Sequence, residues 1–339
     1  MRRFVFPLSV LCLYATLSLT AQTCIPTGFV RDGINMTAAV INPANSVTGT
    51  VNATGCNIGV YIDGVDATID TADIYGANYF GIVVNGDSGN SSAAVINNNI
   101  HDIGETPLNG AQHGIGIYFR SFFLNGSATG MVSNNTLSLY QKGGIVAIGQ
   151  GVNVTITDNS VTGQGPVNYI AQNGIEIGYG ARASVMRNTV TGHAYIGTND
   201  AAAGGIIVVG GDAYGTCPDG NPCPYTVDTR IVQNIVRESD VGVWLANAQG
   251  DAAFSPPTST TNIKVVNNVL SNSAFSNVSG CGSVGYQAGV SDEGNNDKIV
   301  ANSISGPGYA DNNASGCGTF SIDATFAARA KVHANSTVP

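Results

Sequence analysis

Two side chains stand out chemically in a chain of 339 residues of which only 10% are charged. Glu176 lies in Gly174-Ile175-Glu176-Ile177, an acid among aliphatic neighbours. Apolar surroundings raise a carboxyl pKa toward the range a general acid needs; the competing reading is a solvated surface carboxylate. Trp244, the only tryptophan, lies in the similar stretch Gly242-Val243-Trp244-Leu245. Its indole is either a stacking platform for a sugar ring or packing beneath the long segment that begins at Ala246. Asp240 is the second acid that a carboxylate pair with Glu176 would use. Lys142, with Arg120 in the segment that holds Phe119, Phe122 and Phe123, is the best basic candidate for an anionic group, although two exposed cations are also ordinary surface.

Both stretches are copies of one repeat. Gly followed by alternating aliphatics recurs from Gly81, Gly114, Gly144, Gly174, Gly205 and Gly242, with an earlier copy at Gly59-Val60-Tyr61-Ile62. Between these copies, an Asn two residues before an aliphatic recurs at Asn98, Asn135, Asn159, Asn188, Asn234, Asn268 and Asn302. Short strands that stack coil on coil at a rise of ~4.8 Å place like positions on like positions. A buried Asn then hydrogen-bonds to the Asn of the next coil, and such a ladder removes the cost of an unpaired buried amide. The glycine at each repeated corner is expected to supply backbone angles that a side chain opposes. The predicted fold is all-β, a single-stranded right-handed parallel β-helix, a solenoid of about nine coils. The six-residue period of a left-handed β-helix is not found.

From Gly81 to Gly205 the copies are 33, 30, 30 and 31 residues apart, then 37 and 47. Loops absorb the differences, the larger ones being residues 118–130, 163–173, 192–204, 210–228, 246–262 and 273–287. In Gly-aliphatic-x-aliphatic the flanking residues turn inward and x turns outward. The outward column is therefore expected to read Tyr61, Val83, Gly116, Val146, Glu176, Ile207, Trp244 and Ser291. Asp240 falls two coils on and four residues back from Glu176, about 16 Å away at ~4.8 Å per coil and ~3.3 Å per residue. Paired glycosidase carboxylates stand about 5 to 9.5 Å apart, so the pair closes only if the turn folds Asp240 inward.

Met1, Arg2 and Arg3 precede an apolar run from Phe4 to Leu19 that ends in Thr20-Ala21-Gln22, the layout of a secretory signal over residues 1–21. The run is short of the ~20 residues a membrane span needs, and no later stretch spans one. The mature chain is expected to be secreted, periplasmic or extracellular, and monomeric. Residues 22–50 read as a lead-in and cap, 51–323 as the β-helix, and 324–339 as a C-terminal cap or tail. Six cysteines remain after the leader, and an even set in an exported chain suggests disulfides. Cys217 and Cys223 close a small Pro- and Gly-rich loop. Cys281 and Cys317 share the tetrapeptide Ser-Gly-Cys-Gly, which suggests equivalent corners and a bond, and Cys24 pairs with Cys56 by elimination.

The repeats resemble those of the pectate-lyase-like superfamily over roughly residues 51–323. That resemblance implies the fold, and its members include polysaccharide lyases, glycoside hydrolases, epimerases and adhesins. His113-Gly114-Ile115-Gly116-Ile117 resembles a fragment of the polygalacturonase His-Gly motif, but the upstream Asn-Thr-Asp and Asp-Asp pairs of that family do not occur, which makes His113 a corner residue. The Asp-Pro-His-Asp segment of alginate epimerases is also missing. Removal of Arg2 and Arg3 leaves 22 acids against 11 bases, a net charge of about −11 that repels polyanions, and no nucleic-acid partner is expected. Calcium has oxygen ligands on offer at Asp63 with Asp66, Asp70 with Asp73, and Asp292 and Glu293 with Asp297. None matches a calcium-binding repeat, so these read as solvated turns and no metal or cofactor is expected. Two functions from different classes remain. One is binding or processing of an extracellular polysaccharide or cell-surface glycan along the Glu176 and Trp244 face, flanked by Gln112, His113, Tyr118, Lys142, Gln172, Tyr179 and Asp240. The other is a non-catalytic structural or adhesion role, supported by the lack of a complete catalytic set.

Overall fold

Val, Ile and Thr at alternate positions favour half-buried strands, and the chain follows that preference. A computed structural model describes residues 23–123, 125–213, 217–218, 220–251, 255–314 and 316–338; the expected leader at 1–21 lies outside the described residues. The described chain is all-β, with two long, mostly parallel sheets, the arrangement of a parallel β-solenoid. A twelve-stranded sheet begins with the antiparallel hairpin Ile25–Arg31 and Ile34–Ile41. It continues in parallel through Ile58–Asp63, Phe80–Asn85, Ile115–Arg120, Gly143–Ile148, Asn173–Gly178, Gly204–Gly210, Val241–Asn247, Tyr286–Asp292 and Cys317–Asp323. An eighteen-stranded sheet supplies pairs of strands that follow each other along the chain, as Val152–Thr157 and Ser160–Val167 do. These stack on Arg182–Met186 and Thr189–Tyr195.

Three aliphatic columns fill the interior. Ile82, Ile117, Ile145, Ile175, Ile206 and Val243 face Val95, Val132, Ile156, Val185, Ile231 and Val265 on one side and Ile100, Leu137, Val161, Val190, Val236 and Leu270 on another, all buried in one cluster. The turn between paired strands uses a single left-handed residue, such as Asn134 at φ 57°, Asp158 at 60° and Gln233 at 58°, each directly ahead of an Asn. Those asparagines are buried and linked side chain to side chain at 2.9–3.0 Å, from Asn98 through Asn135, Asn159, Asn188, Asn234 and Asn268 to Asn302. Asn302 donates in turn to Asn335 at 3.0 Å, a rung that the repeat pattern hides because Thr337 stands where the aliphatic belongs.

The repeat glycine has a different cause from the one expected. A Cβ on Gly81 would meet the Gly116 carbonyl oxygen at 2.5 Å, one on Gly116 the Gly144 oxygen at 2.7 Å, and one on Gly144 the Gly174 oxygen at 2.6 Å. Close approach of one coil to the next excludes a side chain, whereas these glycines do not have positive φ. The same register corrects the fourth coil: Ile117 pairs with Ile82 and Ile145, so Gly116 is the repeat glycine and Tyr118, not Gly116, is the outward residue.

Both ends of the solenoid extend past the expected boundaries. Ile34–Ile41 and Val47–Asn52 already stack in parallel on Ile58–Asp63 and Asp66–Tyr75. At the other end Lys331–His333 and Ser336–Val338 continue the stack on Lys298–Val300 and Ser303–Ser305. Disulfides join Cys24 to Cys56, Cys217 to Cys223 and Cys281 to Cys317. The last pair does not occupy equivalent corners, since Cys281 lies in the short helix Gly280–Ser283 and Cys317 opens a strand. Cys24–Cys56 spans 32 residues and fastens the N-terminal hairpin, a closure worth about 3–4 kcal/mol by chain entropy. The double change Cys24→Ser with Cys56→Ser is therefore expected to open the hairpin to limited proteolysis near Gly33 while the remaining coils resist. An unchanged cleavage pattern would contradict it.

Candidate functional site

The outward column of the twelve-stranded sheet reads Tyr61, Val83, Tyr118, Val146, Glu176, Ile207, Trp244, Ser291 and Asp323. Facing outward does not leave its first members in water. Phe29 of the hairpin has its ring 6.2 Å from those of Tyr61 and Phe80, and Phe80 stacks on Tyr118 at 5.1 Å. With Met36, Ile58, Val83 and Ile115 they form a second apolar cluster outside the solenoid core. Arg120 lies 4.6 Å over the Phe29 ring, pairs with Asp87 and donates to Asn85 Oδ1 at 2.7 Å. Its guanidinium is thus part of the hairpin's seat, and it does not join Lys142 as an anion contact.

Where that cover ends, a depression of about 390 Å³ opens, lined by Arg31, Gln112, Tyr118, Lys142, Asn173, Glu176, Tyr179 and Trp244 among others. Its walls come from the hairpin and the segment that holds Gln112. Glu176 is half-buried and its Oε2 accepts from Asn173 Nδ2 at 2.9 Å. Lys142, also half-buried, donates to the Ala171 carbonyl at 2.8 Å; burial lowers its pKa and the charge of Glu176 opposes that shift. Burial, with lesser contributions from Glu176 and Tyr118, pushes the Tyr179 phenol up to about 12, so it stays neutral. The buried Tyr118 hydroxyl has no hydrogen-bond partner among the described residues.

Trp244 separates this depression from a second one of about 340 Å³, lined by Asp200, Tyr286, Glu293 and Phe326 besides the indole itself. Trp244 Nε1 donates to Glu293 Oε1 at 2.9 Å, and Tyr286 donates to Asp323 Oδ2 at 2.8 Å. One half-buried aromatic therefore stands between a polar hollow and a largely apolar one, with Glu176 lining the first and Glu293 the second.

Three other candidates do not join the site. Asp240 is fully buried and its Oδ2 accepts from the amides of Tyr195 and Ala203 and from Asn277 Nδ2, at 2.8, 2.9 and 3.0 Å. It pins two loops to the corner of a coil, and the carboxylate pair with Glu176 does not form. Gln172 is 1% exposed, accepts from Gln164 N at 2.9 Å and donates to the Tyr140 carbonyl at 2.8 Å, so its amide is spent on the backbone. His113 stacks on Tyr79 at 3.8 Å and bonds Glu105 at 2.8 Å, away from the lining. Among the described residues no three His, Cys, Asp or Glu side chains converge as a metal site.

Arg31, Asn173, Tyr286 and Glu293 were not singled out by the repeat. Asn173 had a signal, a polar residue directly before a repeat glycine. Arg31 had none, because its place depends on how the hairpin curls. Fold and site together define a disulfide-bonded parallel β-solenoid with an aromatic and polar trough on one outer face. No family model matches the chain, and no curated protein or solved structure matches it either. No described helix is long and apolar enough to cross a membrane.

Proposed function

We propose that this protein is secreted and binds an extracellular polysaccharide chain along the trough, as a monomeric right-handed β-helix of about nine coils, of the pectate-lyase-like type. The observation that carries this reading is Trp244, an indole shared by a polar-lined hollow and a largely apolar one in line with the stacking direction. A sugar ring stacks on an indole face while its hydroxyls meet Asn, Gln, Glu and Tyr side chains on either side. Three disulfides fit an oxidising compartment. Binding is favoured over turnover because Asp240 is held in the interior, Lys142 is engaged by a backbone carbonyl, and Tyr179 does not ionise near neutral pH.

The test is a panel of neutral and acidic glycans scored for both affinity and product release. Trp244→Ala is expected to weaken binding about tenfold or more, the loss of roughly 1.4 kcal/mol or more of contact. Glu176→Gln is expected to retain most of the affinity. Turnover that disappears in Glu176→Gln would replace the binding reading with an enzymatic one, and a panel without any response would sink both in favour of a structural role.

A further inference from the structure

The eighteen-stranded sheet carries chemistry that the trough does not use. Arg230, Lys264, Lys298 and Lys331 hold the same position in four successive parallel strands, Arg230–Val232, Lys264–Val266, Lys298–Val300 and Lys331–His333. Ile231, Val265 and Ile299, the residues that follow the first three, are buried in the core, and alternation sends the cations outward. All four are exposed, one coil rise of ~4.8 Å apart. They line a groove of about 380 Å³ together with Asp228, Asn262 and Asn296.

A row of this kind is unusual in this protein. The chain has 22 acids against 13 Lys and Arg, yet three of its four lysines stand in one line. Two other cations do meet a carboxylate on a neighbouring coil, Arg187 with Asp158 and Arg120 with Asp87. Among the described residues, none of the four cations of the row has such a partner. Asp228 is the one carboxylate among the described residues of the groove lining, and its Oδ1 accepts from Asn262 Nδ2 at 3.4 Å. Like charges stacked at this spacing repel one another, and an anion laid along the row relieves that repulsion.

We propose that this groove holds a linear acidic polysaccharide parallel to the stacking direction, so that successive carboxylates or sulfates meet successive cations. The surface belongs to a different sheet from the trough, and its ligand does not depend on Trp244. Single-stranded nucleic acid fits less well, because no aromatic side chain among the described residues lines the groove to stack a base. Duplex DNA presents a charge about every 1.7 Å of its axis, a poor match to one cation per ~4.8 Å.

The experiment measures binding of a size-defined oligouronate, a sulfated oligosaccharide, a neutral glucan and single-stranded DNA to the full chain over a range of salt concentrations. Lys264→Ser with Lys298→Ser, both exposed and outside the core, is expected to weaken the acidic oligosaccharides about tenfold at low salt and to flatten their salt dependence. Made in a Trp244→Ala background, the same two substitutions are expected to cost the acidic oligosaccharides the same factor. Stronger binding of the uronate identifies a carboxylated ligand, and stronger binding of the sulfated chain a sulfated one. Equal affinity of the double variant, an equal loss of neutral-glucan binding in it, or tighter binding of single-stranded DNA would each overturn the proposal.

Discussion

Asn188→Ala is expected to destabilise the protein by about 3–5 kcal/mol, lowering the thermal midpoint by roughly 10 °C. Asn188 Oδ1 accepts both the backbone N–H and the side-chain amide of Asn159, at 3.0 and 2.9 Å. Its own amide donates to the Ile156 carbonyl and to Asn234 Oδ1, both at 3.0 Å. Truncation removes four bonds at a fully buried corner and strands the Asn159 N–H where water does not reach. Asn335→Ala, at the half-buried last rung, is expected to cost about 1 kcal/mol or less, because solvent takes over the freed groups there. Circular dichroism melts of the two variants give the comparison. Equal losses at the middle and the end would show that the ladder is not what holds the corner.

Stability is expected to fall as the pH rises from about 5 to about 9, the reverse of the behaviour that salt-bridged carboxylates confer. Asp292 and Asp297, expected from the sequence as a solvated turn, are instead 1% and 0% exposed and within hydrogen-bonding reach of each other. Burial raises both pKa values, and for Asp297 the charge of Asp292 adds to it, so the pair retains a proton. Burial likewise pushes Asp240 up to about 7. In each case the folded value lies above the unfolded one, so the folded chain binds more protons. The stabilising contribution is full below the ordinary carboxylate range and is lost as the pH climbs through about 7 for Asp240 and through the raised range of the pair. Asp297→Asn keeps an Oδ1 acceptor for Thr261 Oγ1 and Ile263 N, now at 2.6 and 2.7 Å, and offers Asp292 a permanent donor. Melting curves of this variant are expected to show a shallower decline with pH than the parent. Parallel declines would place the titration elsewhere.

The Asn and Gly repeats made the stacked coils legible because each residue type answers a constraint that recurs once per coil. The Gly114 copy misled because two glycines, Gly114 and Gly116, stand two apart; the approach of Gly116 to the Gly144 carbonyl oxygen at 2.7 Å, which distinguishes them, exists only between coils. Glu176, Lys142, Tyr118, Tyr179, Gln112 and Trp244 do line one depression. Asp240, Gln172 and His113 were expected beside them on the strength of nearness along the chain, but turn geometry sends each to a backbone or corner partner. The cation row escaped notice because Arg230, Lys264, Lys298 and Lys331 are separated by 34, 34 and 33 residues, and only register aligns them.

The sequence by itself therefore determined the parallel all-β stack and its polar ladder, since alternation and periodicity are local or strictly repeated signals, while its even cysteine count pointed to disulfides without fixing their pairs. Tertiary structure alone decided which outward residues are covered by the Phe29 hairpin, where the trough opens around Trp244, and which cations stand in line. Those outcomes depend on loop paths and inter-coil register, and the variable lengths between repeats do not encode either.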